Sequence, residues 1–352
     1  MSIDLFESAT ECGCAAKMPA WQLASLLHDI RCPDHPNVVI GPSRFDDAGA
    51  YRLTDNQYLV QTVDFFPPVA RYAKDYGRIA AANALSDVYA MGANPLCALA
   101  IVALPNALAT NHTLRDIMTG ACDALAEADC ALMGGHTILD SGLKFGMAVT
   151  GSVTPGQLLQ NSTAKPGDVL LLTKPVGTGV TVMAAKAGRA SPQQERDAYR
   201  CMATLNRLAS RAALDCDLSC ATDITGFGVL GHSLQVARAS GVSLEIGFEG
   251  IALLDNALTF ASEGLLSAAA YANRDYAESA VTFDSDVSVA AQDLLFDPQT
   301  SGGLLLCCSQ DKLERLLTCA SAWPYPCAVI GRVVEAGDSP HIRVRKAAFR
   351  GA

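Results

Sequence analysis

Apolar positions recur along the chain in two rhythms, and the change from one to the other marks out its elements. From Tyr76 to Met91 they follow helical spacing, with alanines at many contact positions. Leu114 to Ala128 repeats that spacing, with Ile117 and Leu125 on its apolar face. Pro95 to Leu104 is instead a continuous apolar run of strand length, as expected of a buried strand. Val38 to Ile40 and Gln57 to Val63 predict strands around a turn near Asp55-Asn56. Cys130 to Met133 and Phe145 to Gly151 predict two more. Near the start, Pro19, Trp21, Leu23, Leu26 and Leu27 predict a short helix over residues 19–30, opened by its proline. Residues 1–18 show no period and are expected to be mobile.

Between Thr154 and Asp168 the composition turns polar, with Pro155, Gly156, Pro166 and Gly167. A domain boundary is expected there. Beyond it the pattern predicts a strand at Val169 to Thr173 and helices around Gly179 to Ala187 and Arg196 to Ala213. A helix running through Ala239 follows Thr222 to Gly228, and strands lie near Leu304 to Cys308 and Ala328 to Val334. The expectation is an α+β chain of two domains, residues 37–155 and 165–345. A mobile N-terminal segment and first helix over residues 1–36 precede them.

Composition narrows the function. The 352 residues are half apolar and 18% charged, with a formal net charge of -10. An acidic chain repels phosphate backbones, which argues against direct nucleic-acid binding. A small phosphate ligand would need a metal or local amide donors to offset that repulsion. The longest apolar stretch, Pro95 to Pro105, falls short of the roughly 18–20 residues of a spanning helix, so no membrane partner is expected. Asp4 and Glu7 stand where a signal peptide would be basic, and a cytoplasmic location is expected. The 13 cysteines are scattered, with no Cys-x-x-Cys pair, which argues against a zinc ribbon. Most are expected to be reduced core thiols. Cys12-Gly13-Cys14 stands apart in a polar setting.

Several short motifs could carry chemistry. Asp46 and Asp47, Asp64 after Thr62-Val63, Asp87 after Leu85-Ser86, and Asp223 before Ile224-Thr225-Gly226 lie at element ends or beside glycines. Carboxylates converging from different elements suit magnesium, which takes hard oxygen ligands together with substrate phosphates. Each alone also fits a loop, a solvated helix or a cap. Gly134-Gly135-His136-Thr137 follows a predicted strand, where glycines let backbone amides approach a phosphate, or simply close a tight turn. Asp297-Pro298-Gln299-Thr300-Ser301-Gly302-Gly303 is a constrained turn, read from its chemistry as architecture. Lys17 follows Cys14 by three residues. A lysine there can lower the thiol's pKa, or grip phosphates.

Together these pieces resemble selenophosphate synthetase. The matching segments are Cys14 to Lys17, Arg44 to Ala48, Thr62 to Phe66, Gly77 to Asp87, Gly134 to His136, Thr222 to His232 and Asp297 to Leu306, in the family's order. The aspartate motifs are also similar to the wider ATP-binding superfamily of aminoimidazole ribonucleotide synthetase. The resemblance implies a two-domain fold of that type, in a homodimer whose N-terminal sheets join in a barrel. It implies Cys14 and Lys17 as catalytic residues and Asp47, Asp87 and Asp223 as Mg2+ ligands. ATP contacts are implied for Lys17, Arg44, Phe45, Asp46, Asp64, Asp87, Gly135, His136 and Thr137. The implied reaction takes ATP, selenide and water to selenophosphate, AMP and phosphate, and leaves room for a selenium-delivery protein. Two alternatives differ in outcome: another kinase or ligase of the superfamily, and a carrier that binds selenium or nucleotide without turnover. Cys12 is a second thiol outside the three-residue spacing to Lys17.

Overall fold

The computed structural model describes residues 4–8, 12–18, 22, 23, 26, 30, 33–42, 46–109 and 112–349. Strands β1 (Val38–Ile40), β2 (Gly49–Thr54), β3 (Gln57–Phe66), β4 (Asn94–Leu104), β5 (Ala131–Leu139) and β6 (Lys144–Val153) form one sheet, ordered β1-β2-β3-β6-β4-β5. Every neighbouring pair is antiparallel except β4 and β5, and a parallel pair needs a crossover. Helix α2 (Thr113–Glu127) supplies it, packed beside α1 (Ala73–Ala90). The two helices touch through reciprocal glycines. A Cβ on Gly77 would lie 1.9 Å from the Ile117 carbonyl oxygen, and one on Gly120 1.9 Å from that of Lys74. Alternation assigns the sheet's faces. Met147, Val149, Ala98, Ala100 and Val102 are buried beneath the helices, whereas Val63, Phe65, Leu99 and Ile138 on the other face are exposed.

The second sheet is ordered β10-β13-β9-β12-β7-β11-β8. Its strands are β7 (Val169–Leu172), β8 (Cys220–Asp223), β9 (Val242–Gly247), β10 (Val281–Phe283), β11 (Leu304–Cys308), β12 (Ala328–Glu335) and β13 (Ile342–Arg345). Its central strands are buried on both faces, which is why they read as unbroken apolar runs. The predicted helix Arg196 to Ala213 is two helices, α4 (Pro192–Ala203) and α5 (Arg207–Asp215). The break between them frees the Thr204 carbonyl for the Lys174 ammonium and the Asn206 side chain for Ser86 and Gly302. Most of the predicted helix over residues 19–30 lies outside the described residues, although Gln22, Leu23 and Leu26 are helical. The described residues of the N-terminal segment are packed: Leu5, Phe6, Cys12 and Cys14 are buried in the core beside the first sheet.

Candidate functional site

Helix α1 brings polar groups into an alanine-rich interior. Asn83 and Ser86 are fully buried, and half-buried Asp87 lies one turn beyond Asn83 on the same face. Strand β3 runs beside this helix and points Thr62 and Asp64 at it. Thr62 Oγ1 donates to Asp87 Oδ2, and Asn83 Nδ2 donates to Asp64 Oδ2. The second sheet contributes Asp223 at the end of β8, only 1% exposed. Thr222 Oγ1 reaches across to donate to Asp47 Oδ1 at 2.7 Å, while Asn161 N donates to Asp46 Oδ1 at 2.8 Å.

The N-terminal segment closes the same place. Gly13–Ala16 forms a 3-10 turn in which Gly13 has φ +52, a conformation that strains residues bearing a Cβ. A Cβ there would also lie 2.5 Å from Thr300 Oγ1. Cys14 N donates to that hydroxyl at 3.2 Å, and the Cys14 thiol donates to Asn83 Oδ1 at 3.4 Å. Ser301 N donates to the same Asn83 oxygen at 2.8 Å. Lys17 extends past the turn and pairs with Asp64 Oδ2 at 2.8 Å. Cys14, Lys17, Asp64, Asn83, Thr300 and Ser301 therefore form one hydrogen-bonded cluster, drawn from both halves of the chain. Asp87 and Asp223 lie within its electrostatic reach.

Electrostatics describe a crowded acidic site. Burial, with Asp223 and Asp87 next, drives the Asp47 carboxyl well above its usual range. Burial, then Asp223 and Asp64, does the same to Asp87. Asp223 is pushed up to about 6, chiefly by burial. Oδ2 of Asp47 and of Asp223 is buried without a hydrogen-bond partner. Unpaired hard oxygens and mutually destabilised carboxylates suit a divalent cation, which would supply the missing positive charge. Among the described residues, no three His, Cys, Asp or Glu side chains converge closely enough to hold a metal by themselves. The donor set thus fits a cation that also takes phosphate and water oxygens, as magnesium does.

Lys17 has a mixed effect. Burial pulls its ammonium down, but Asp64, followed by Cys14 and Asp87, outweighs this and raises it. It favours the Cys14 thiolate electrostatically, yet burial pushes that thiol up to about 12. The cysteine is a neutral hydrogen-bond donor in this arrangement.

Two expectations change. The turn expected at Gly134 to Thr137 is the interior of strand β5, because the ladder with β4 continues through a bulge at Ala98/Leu99 as far as Leu139. Gly135 shares a register row with Asp64 through Ala100 and Met147. Three strand spacings separate them, roughly 14 Å. Gly135, His136 and Thr137 are exposed on this edge strand, outside the buried cluster. The Asp297–Gly303 turn, expected to be architecture, touches Cys14 directly. Arg44 and Phe45 lie outside the described residues. Sequence reasoning missed Asn83, Thr300 and Ser301. The sequence offered only the place of Asn83, one turn before Asp87 in an alanine-rich helix, and its burial came from the fold.

Families named AIR synthase related protein match the chain, the N-terminal domain over residues 45–153 and the C-terminal domain over 165–342. The selenide, water dikinase of Pelobacter propionicus is 42% identical over 335 residues, covering 95% of this chain and 96% of that protein. That of Bdellovibrio bacteriovorus is 42% identical over 339 residues, covering 96% and 97%. Among solved structures, thiamine-monophosphate kinase from Stenotrophomonas maltophilia K279a aligns with a TM-score of 0.64 at 22% identity, over 93% of this chain and 96% of that one. The hydrogenase maturation protein HypE in complex with ATP aligns at 0.64 and 17%, over 96% and 91%. Those two likenesses concern the fold alone. Among the described residues no helix is long and apolar enough to cross a membrane. Near-full-length identity above 40% and both domain matches therefore make this chain a member of the selenide, water dikinase family, built on the α+β fold of AIR synthase related proteins.

Proposed function

We propose that the chain is an ATP-dependent selenophosphate synthetase, converting ATP, selenide and water to selenophosphate, AMP and phosphate. The observation that carries this reading is the union of Cys14, Lys17, Asp64 and Asn83 beside the carboxylates of Asp87 and Asp223. Asp47, Asp87 and Asp223 would hold Mg2+, whose chemistry is to neutralise the polyphosphate. Asp46, Asp64 and Asp87 would position ATP, joined by Arg44 and Phe45. Lys17 adds positive charge where phosphoryl oxygens become more negative. Selenide is an easily oxidised nucleophile, and the packed Cys12–Met18 turn would keep solvent from it.

The exposed apolar face of the first sheet, with Val63, Phe65 and Leu99, would be covered in a homodimer. Gly135, His136 and Thr137 stand on that sheet's edge strand, so their ATP contacts would lie where two copies meet.

The test is anaerobic turnover of ATP with magnesium, reductant and selenide, followed by phosphorus NMR. AMP with a selenium-bonded phosphorus signal supports the reaction. ADP, or turnover indifferent to selenide, would assign the chain another kinase or ligase activity. ATP binding without turnover would assign it a carrier role.

A further inference from the structure

A buried lysine lies behind the site, on the far side of the Thr300-Ser301 turn. Lys174 follows strand β7 and is 3% exposed. Its ammonium donates to the Thr204 carbonyl at 2.6 Å and the Ser301 carbonyl at 2.8 Å. Both partners are main-chain oxygens rather than carboxylates. Burying an ammonium on neutral partners is costly, and burial lowers this group to about 8. An apolar side chain would fill the volume with less penalty. What the ammonium supplies is two short, directional bonds to specified carbonyls.

One of those carbonyls belongs to a strained residue. Ser301 has φ +49, which a residue with a Cβ seldom adopts unless its surroundings enforce it. With its carbonyl held by Lys174, the Ser301 amide points to Asn83 Oδ1, the oxygen that also accepts from the Cys14 thiol. The preceding Thr300 hydroxyl accepts from the Cys14 amide. The other carbonyl, Thr204, lies in the break between α4 and α5, two residues before Asn206. Asn206 Nδ2 holds both the Gly302 carbonyl and Ser86 Oγ on α1, each at 2.8 Å.

We propose that Lys174 is a positioning residue for Cys14, acting through the Ser301 carbonyl to hold the Thr300-Ser301 turn against the cysteine. It touches no reacting atom. The inference rests on the proposed reaction for its kinetic consequence, but not for its structural one.

Lys174→Met removes the donors while keeping a long side chain. Two quantities are read on the full-length protein: Cys14 alkylation by iodoacetamide, followed by mass spectrometry, and selenide-dependent AMP formation. Cys14 alkylation should rise by about tenfold or more and kcat should fall by about 10- to 100-fold, the scale set by a small misplacement of a reacting group. The KM for ATP should stay within about twofold, because the ATP-facing aspartates are untouched. Alkylation at the wild-type rate would overturn the proposal, even if turnover fell. If Lys174→Met does not fold, Lys174→Gln carries the test, since it keeps a polar side chain but only a shorter, uncharged donor for the Thr204 and Ser301 carbonyls. Faster Cys14 labelling in that variant supports the proposal, and unchanged labelling overturns it. Wild-type protein without selenide-dependent AMP formation would sink the proposed reaction, while the labelling comparison would still decide the positioning role.

Discussion

Replacing Asp297 with asparagine should flatten the pH dependence of folding stability near neutrality. Asp297 is fully buried at the entrance to the Thr300-Ser301 turn. Its Oδ2 accepts from Val180 N at 2.9 Å, at the start of helix α3 (Thr178–Lys186), and from Gln299 Nε2 at 3.0 Å. Burial raises its pKa from 3.8 to about 7, opposed by those donors. A folded-state pKa above the unfolded value means the carboxyl favours folding fully below pH 3.8. That advantage is lost as pH rises through about 7. With roughly 1.4 kcal/mol per pKa unit, wild-type protein should lose about 2 kcal/mol between about pH 5.5 and about pH 7.5 that Asp297→Asn does not. Asparagine retains the volume and an oxygen for Val180 N, so any fixed cost of the substitution shifts the whole curve and leaves its slope alone. Urea unfolding of both proteins across that range measures the difference. Parallel stability curves would refute the reasoning, because they would mean that Asp297 is ionised in the folded protein throughout.

Three further outcomes are expected. Gly77→Ala should cost about 1–3 kcal/mol or more, seen as a lowered urea midpoint, because its methyl would need to displace the Ile117 carbonyl. In resting protein near pH 8, iodoacetamide should label exposed Cys122 well before Cys14, whose buried thiol is held neutral; mass spectrometry of the labelled peptides reads the order. Asp87→Asn should abolish magnesium-dependent ATP turnover while leaving the fold intact, and an active variant with an unchanged magnesium requirement would remove Asp87 from the metal set.

The elements that sequence reading found are those whose burial is one-sided or complete. Helices α1 and α2 show their apolar faces, and β4, β7 and β11 read as continuous apolar runs. Strands β2, β8, β9, β10 and β13 went unread; in β9 and β13 the available signal was alternation, of Val242, Leu244 and Ile246 with polar residues and of Ile342 and Val344 with arginines. The extension of β5 through Gly134-Gly135 was hidden for a different reason. Two adjacent glycines suggest a turn, and only the ladder with β4 turns them into strand.

The candidate site was legible where chemistry is local. Cys14 and Lys17 stand out by spacing, and the aspartates by their glycine-rich or strand-end settings. Asn83 was not legible, because an asparagine among alanines is noticed only once the helix face it occupies is known to be buried. The turn at Thr300 and Ser301 was legible as a turn but not as the seat of a cysteine 286 residues away.

By itself, then, the sequence determined the two-domain α+β character, the acidic and cysteine-bearing residues available for chemistry, and the family resemblance. These depend on residue type, order and local periodicity. Tertiary structure decided which of those residues meet. It joined Cys14 to Asn83 and Thr300, paired Lys17 with Asp64, and placed Gly135 roughly 14 Å from Asp64 across the sheet. It also set the protonation tendencies, raising Cys14 and Asp297 and lowering Lys174. Those follow from burial and from neighbours distant along the chain, and neither exists until the two halves have packed together.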